Sequence, residues 1–259
     1  MTYLLLHETQ DVTRNRGTVI NYDRLGNGIV RPFEGRAQLG DEVAGYVRDL
    51  IMTGQIGGGE YIRLDKLASL LGVSATPVRE ALMSLRAEGF LELIPRKGFL
   101  VLPLSAKDVK DVFDAQATIA GELAARAADA IDDTTMAKLR GIQERIVEAS
   151  GRDDHETIER ENYQFHKEIN LLAGSPKLLW LLGMVMHYSP RPLHSHIEGW
   201  SKTAIEDHPD VLDALESRDA ARANEAMATH IIHAGRLLIE FLGTLDDRML
   251  DETMIDALK

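Results

Sequence analysis

The chain has 259 residues, of which 44% are hydrophobic and 27% charged, enough to bury a core and too ordinary for wholesale disorder or a fibrous repeat. Cysteine is absent, which excludes disulfides, thiolate nucleophiles and zinc–thiolate sites. The formal net charge of −12 is uneven: residues 1–103 hold 12 Lys+Arg against 12 Asp+Glu, and residues 104–259 hold 17 against 29, with eight of the nine histidines. That asymmetry predicts two units with different partners. No run approaches about 18 apolar residues, so no membrane span is expected. The opening MTYLLLHETQ lacks a basic stretch and a small-residue cleavage site, so a cytoplasmic protein is expected.

Residues 1–38 are polar and rich in Gly and Arg, and read as an extended or mobile arm. From Leu39 a helical pattern begins, with Val43, Val47, Leu50 and Ile51 at the spacing of one buried face. Gly54 and Gly57-Gly58-Gly59 end it. A short helix over Leu64–Leu71 follows, closed by Gly72.

The next stretch, VSATPVREAL from Val73 to Leu82, opens another helix. Ser74 or Thr76 can cap it, and Pro77 fits a first turn whose amides lack intrahelical partners. Val78, Ala81, Leu82 and Leu85 form the inward stripe, while Arg79, Met83 and Arg86 share the opposite face. Apolar runs Phe90–Ile94 and Phe99–Leu102 then flank Pro95-Arg96-Lys97-Gly98, a β-hairpin with a basic, glycine-containing tip.

Three helices followed by a two-stranded ribbon predict a winged helix-turn-helix over residues 39–103, the third helix entering the major groove of double-stranded operator DNA. Ser74 and Thr76 offer hydroxyls and amides to phosphates at a helix N-terminus. Arg79 can read a guanine edge or clamp a phosphate, Arg86 shares its exposed face, and Arg96, Lys97 and Gly98 form the wing tip against the backbone. A single winged helix reads few bases, so a homodimer on a palindrome is expected.

The segment Leu39–Leu102, above all LGVSATPVREAL and LRAEGFLELIPRKGFLV, closely resembles the DNA-binding domain of GntR-type bacterial regulators. Relatives often carry Arg between the Ser and the Thr, where this chain has Ala75, so the resemblance does not carry an operator sequence with it.

Residues 104–245 read as amphipathic helices broken near Asp132-Asp133, Gly151, Gly174-Ser175-Pro176, Ser189–Pro192 and Ser217–Asp219, with residues 246–259 as a tail. The expected class is mainly α: the winged helix-turn-helix plus an all-α bundle. Met184 and Met186 read as core filler. Asn162 and His166 stand at i and i+4 on one helix face. His208 reads as standing at a helix start before Pro209, and His230 lies inside the last helix. Neutral imidazoles with an amide oxygen suit a divalent transition ion. His194 and His196 read as a solvated loop pair, and His233, one turn past His230, as a candidate for the same chamber.

Residues 108–240 are similar to the FadR-type C-terminal (FCD) domain that follows this DNA-binding module in one GntR branch, on the stretches DVFDAQATIAGELAARAA, ENYQFHKEINLLAGSPKLLWLL and EDHPDVLDALESRDAARANEAMATHI. In that branch an Asp four residues before a helical His, that His and two later histidines bind zinc or a similar ion. The resemblance carries those roles onto Asn162, His166, His208 and His230, with zinc the expected ion and nickel or manganese the alternatives. Asn162 departs from the family's Asp. Many relatives also carry an Arg on the domain's first helix to fork onto a carboxylate, where this chain has Gln116.

The expected effector is therefore an organic acid, or something less acidic, held by Gln116, Arg191 and His233. Gln116 reads equally as a helix-surface amide. The resulting expectation is a ligand-responsive repressor rather than an enzyme. The competing reading is a metal-dependent enzyme on the three histidines, which needs an open coordination position and a general base. Glu161 is adjacent in sequence but on a neighbouring face.

Overall fold

A computed structural model of the chain describes residues 37–188 and 197–246. Residues 1–36 of the predicted arm, the tail beyond residue 246, and Arg191, His194 and His196 lie outside the described residues, while Ala37 and Gln38 already belong to the first helix rather than to the arm. The first unit comprises α1 (Ala37–Met52), β1 (Tyr61–Ile62), α2 (Leu64–Leu71), α3 (Ala75–Ala87), β2 (Leu91–Ile94) and β3 (Gly98–Val101). Gly72 closes α2 in the left-handed conformation (φ 65°), and Ser74 stands in extended backbone at the N-cap of α3 without a side-chain capping bond. Val78, Ala81, Leu82 and Leu85 are buried against Val43, Val47 and Ile51 of α1, as the stripe predicts. Truncating one such leucine to alanine costs about 2–5 kcal/mol, the lost transfer energy plus the cavity.

The wing is a three-stranded sheet in the order β1-β3-β2, not the expected two-stranded ribbon. Tyr61 and Ile62 pair antiparallel with Leu100 and Phe99. A two-residue strand is too short to show an alternation, so no sequence signal marked it. Gly98 is what admits it: with φ 112°, a Cβ there would lie 2.6 Å from the Ile62 carbonyl oxygen.

The second unit is all α among its described residues: α4 (Ala106–Ala130), α5 (Asp133–Ser150), α6 (His155–Leu172), α7 (Pro176–Val185), a 3-10 turn Met186–Tyr188, α8 (Trp200–Glu216) and α9 (Ala220–Asp246). Ser105 and Asp108 form a capping box that starts α4, and Asp132 and Asp154 cap α5 and α6. The core gathers Leu123, Leu139, Ile142, Ile146, Phe165, Ile169, Leu212 and Leu215, all buried. α9 lies along α4 at close range. A Cβ on Gly235 would meet the Phe113 ring at 2.6 Å, and one on Gly121 the Asn224 carbonyl at 2.9 Å.

Two expectations need correction here. Met184 is 40% exposed rather than core filler, whereas Met186 packs against the core. His208 is not at a helix start: α8 runs from Trp200 through Pro209, so His208 lies mid-helix. Proline removes one rung of a helical ladder, and such a break is tolerated where the carbonyls beside it find other partners. The carbonyl that Pro209 leaves without its helical N–H is that of Ile205, and the Ala204 carbonyl beside it accepts a bond from the Gln143 side chain (3.0 Å).

Candidate functional site: a three-histidine chamber behind a winged helix

α6, α8 and α9 each deliver one histidine to a common point. The candidate ligand atoms of His166, His208 and His230 all lie within 4.8 Å of one another, and the Nε2 atoms of His166 and His230 are 3.2 Å apart. Phe165 stacks on His208 with ring centroids 3.9 Å apart, fixing that imidazole from one side.

The other ring nitrogens are held from behind. His208 Nδ1 donates to Gln143 Oε1 at 2.8 Å, and that amide is oriented by its own donation to the Ala204 carbonyl. With the proton on Nδ1, the Nε2 lone pair of His208 is left free beside His166 and His230, buried and without a partner. His230 Nδ1 faces Asp207 Oδ2 at 3.3 Å, and Asp207 also accepts from His233 Nδ1 at 3.0 Å. Burial alone would raise the Asp207 carboxyl, but the hydrogen bonds from the two imidazoles hold it below its usual value. A carboxylate or amide behind a histidine sets its tautomer and raises its basicity toward a metal.

Burial, reinforced by the neighbouring His230, lowers His166 to about 3 and holds His208 well below the ordinary imidazole value. Both rings are therefore neutral near pH 7, the form that ligates. Asn162 lies one helical turn before His166 and lines the same chamber, with its Oδ1 buried and without a partner. Three converging imidazoles with an orphaned Nε2 and an orphaned amide oxygen fit a divalent cation that takes nitrogen and oxygen donors. The cluster could hold a metal ion.

The chamber extends from the histidines over Phe113, Gln116, Leu182, Met186 and Trp200. Gln116 is buried (4% exposed) and donates to the Val185 carbonyl at 3.1 Å, which rules out the helix-surface reading. His233 is not among the lining residues: it is 40% exposed and supports Asp207 from outside, because one turn beyond His230 the helix has carried its side chain to the chamber's outer edge. Glu161 is turned away and occupied by Arg145 (2.8 Å) and Arg160 (3.2 Å).

In the first unit Ser74, Thr76, Arg79, Arg86, Arg96 and Lys97 are exposed and Gly98 is partly so. Among the described residues none forms an ion pair with Arg79, Arg86 or Arg96. Lys97 lies over the Tyr61 ring at 5.7 Å, a cation–π contact across the extra strand. Arg96 sits at φ 68° in the tight tip between β2 and β3.

Gln143 and Asp207 were missed by sequence reasoning. Asp207 had a usable signal, adjacent to His208 and opposite an i, i+3 histidine pair on α9. Gln143 had none, since it reaches His208 from 65 residues away.

A winged helix-turn-helix joined to a helical bundle with a histidine-lined chamber defines a transcription regulator with a sensing domain. The comparisons with known proteins agree. Residues 39–101 match the model of the bacterial regulatory proteins of the gntR family, and residues 111–233 match the FCD domain. Over 202 residues the chain is 30% identical to the "Probable D-xylose utilization operon transcriptional repressor" of Paenarthrobacter nicotinovorans, covering 73% of this chain and 85% of that one. It is 28% identical over 242 residues to the Uxu operon transcriptional regulator of Escherichia coli strain K12, covering 83% and 92%. The solved structure of E. coli McbR/YncC superposes with a TM-score of 0.59 at 22% identity, over 79% of this chain and 98% of that one, and shares its fold. The chain belongs to the GntR family of bacterial transcription regulators, with an FCD effector-binding domain. These relatives give the enzyme reading no support. No helix of the described residues is long and apolar enough to cross a membrane.

Proposed function

We propose that the chain is a cytoplasmic, homodimeric regulator that represses by binding palindromic operator DNA through residues 39–103. Residues 104–245 sense a small metabolite beside a bound divalent ion, with residues 1–38 and 246–259 as flanking segments. His166, His208 and His230 ligate zinc or a chemically similar ion through their Nε2 atoms, and Asn162 supplies an amide oxygen. The ion gives the effector a Lewis-acidic anchor. Gln116 orients the effector, and a neutral Asn162 in place of a carboxylate leaves the site more positive, which suits an oxyanion or hydroxyl group. Arg79 and Arg86 on the exposed face of α3 contact base edges and phosphates. Ser74 and Thr76 seat a phosphate at the helix start, and the tip Arg96-Lys97-Gly98 follows the adjacent backbone.

The observation that carries this reading is the convergence of three imidazoles on one point, each from a different helix and two of them held from behind. A bound ion would satisfy the unpartnered buried Nε2 of His208 and the unpartnered Asn162 Oδ1 together. Its test has two parts. Footprinting of the chain on its neighbouring genomic DNA should reveal a protected palindrome whose affinity falls steeply with salt. Metal analysis of the purified protein should find about one ion per chain, lost in His208→Ala. Protein that takes up no zinc, nickel or manganese and gains no thermal stability from them overturns the metal assignment.

A further inference from the structure

Between the chamber and the end of α3 lies a segment that the regulator reading does not use. α7 and the 3-10 turn present Leu182 and Met186 to the chamber, while the Val185 carbonyl is held by Gln116, also a lining residue. The next two residues reach the winged helix. Tyr188 stacks on Phe90 with ring centroids 4.4 Å apart and 19° between planes, and its hydroxyl donates to the Glu88 carbonyl at 2.6 Å. Its ring packs against the core of the winged helix. His187 Nδ1 lies 3.3 Å from Glu88 Oε2.

Glu88 is the C-cap of α3. Its carboxylate also receives Arg48 of α1 through Nε (3.0 Å) and a terminal nitrogen (2.6 Å), and Ser84 through its hydroxyl (3.0 Å). Burial would raise this carboxyl, but the nearby His187 imidazole and the charge and bonds of Arg48 hold it below its usual value. The anion is thus the knot joining α1, α3 and the 3-10 turn. Gly89 leaves room for the contact: a Cβ there would lie 2.9 Å from the Tyr188 hydroxyl.

From these contacts we infer that the turn Met186–Tyr188 is the coupling element of this regulator. What fills the chamber moves Met186 and the Val185 carbonyl. The same rigid turn then shifts Tyr188 and His187 against Glu88 and Phe90, re-aiming the C-terminal end of the recognition helix and the start of the wing. Two consecutive residues separate the wall of the sensing chamber from the reading head, so no longer chain of contacts is needed. Tyr188, His187 and Glu88 act as positioning residues and touch neither DNA nor effector.

This inference rests on the reading of the chamber as the sensing site, and the experiment separates the two. Hydrogen exchange of the full chain is followed over residues 84–92 in response to two perturbations of the chamber: Gln116→Ala, which frees the Val185 carbonyl, and added zinc ions alone. Each should change exchange there by at least about fivefold, and in a Tyr188→Ala background the response should fall below about twofold. Tyr188→Phe, which keeps the stack, should fall between. Zinc uptake should be the same in Tyr188→Ala as in the wild type, which a general unfolding of the bundle would not allow. A response to Gln116→Ala that persists undiminished without the Tyr188 ring, or a wild type in which Gln116→Ala leaves residues 84–92 unmoved, overturns the coupling. Failure of zinc to bind would instead count against the metal site and leave the Gln116→Ala arm to decide.

Discussion

The two units keep their functional groups in opposite conditions. In the winged helix Arg79, Arg86, Arg96 and Lys97 are exposed, and the first three make no ion pair among the described residues. In the bundle the comparable groups are sealed in, with His208 at 0% exposure and His230 at 4%. The difference follows from the partner each unit would take. A duplex is a surface of phosphates, and cations that keep their water until contact release counterions when they bind it. A small ion or metabolite must be wrapped, and donors withdrawn from water gain strength from the low dielectric around them.

The largest expected effects break this contrast in the bundle. His208→Ala opens a hole beside Phe165 and strands Gln143, so metal should be lost and the midpoint of thermal unfolding should fall. A site saturated about a thousandfold above its dissociation constant contributes about 4 kcal/mol, measurable by calorimetry with and without chelator. In the winged helix, Arg79→Ala should cost about 1–3 kcal/mol of operator affinity and relax base preference, while the bundle keeps its metal and its melting behaviour. An unchanged operator affinity would remove Arg79 from the reading surface.

The metal-free protein should be acid-sensitive. His166 and His208 have folded values below their unfolded one, so their stabilising effect is complete above about pH 6.5. For His166 it drains away as pH falls toward 3, by about 1.4 kcal/mol per pH unit, and His208 acts in the same direction. Urea titrations from pH 7 to pH 4 should show this slope, and His208→Gln should show a shallower one. Smaller still, Asn162→Asp should slow metal release to a chelator, since a carboxylate binds a cation more strongly than an amide. Lys97→Ala should weaken binding to all duplexes alike by a few-fold and lower the salt slope by about 1, as expected of a phosphate contact.

The sequence made the scaffold legible where periodicity and end signals coincide. Leu64–Leu71 with Gly72, the stripe Val78–Leu85, and the breaks at Asp132, Gly151 and Ser217 all fall where the elements begin and end. It failed where tertiary contacts override local rules. Pro209 reads as a helix start because its missing N–H costs a rung, yet the packed core around Val211, Leu212 and Leu215 carries α8 straight through it. For the candidate site, spacing gave Asn162 and His166 as one helix face, and the family pattern supplied His208 and His230. The groups behind them stayed hidden, because Gln143 and Asp207 act across helices and no local spacing encodes that. Gln116 was ambiguous for the same reason: an amide on a helix declares its side only once Val185 is seen beside it.

The short strand Tyr61–Ile62 has a mechanical consequence. A free two-stranded finger would have to be frozen on meeting its target, at about 1–2 kcal/mol for each residue immobilised. Stitched to β3 on its outer edge and braced where the Tyr61 ring lies under the Lys97 ammonium, this finger arrives already stiff, and the entropy of holding it still has been spent during folding.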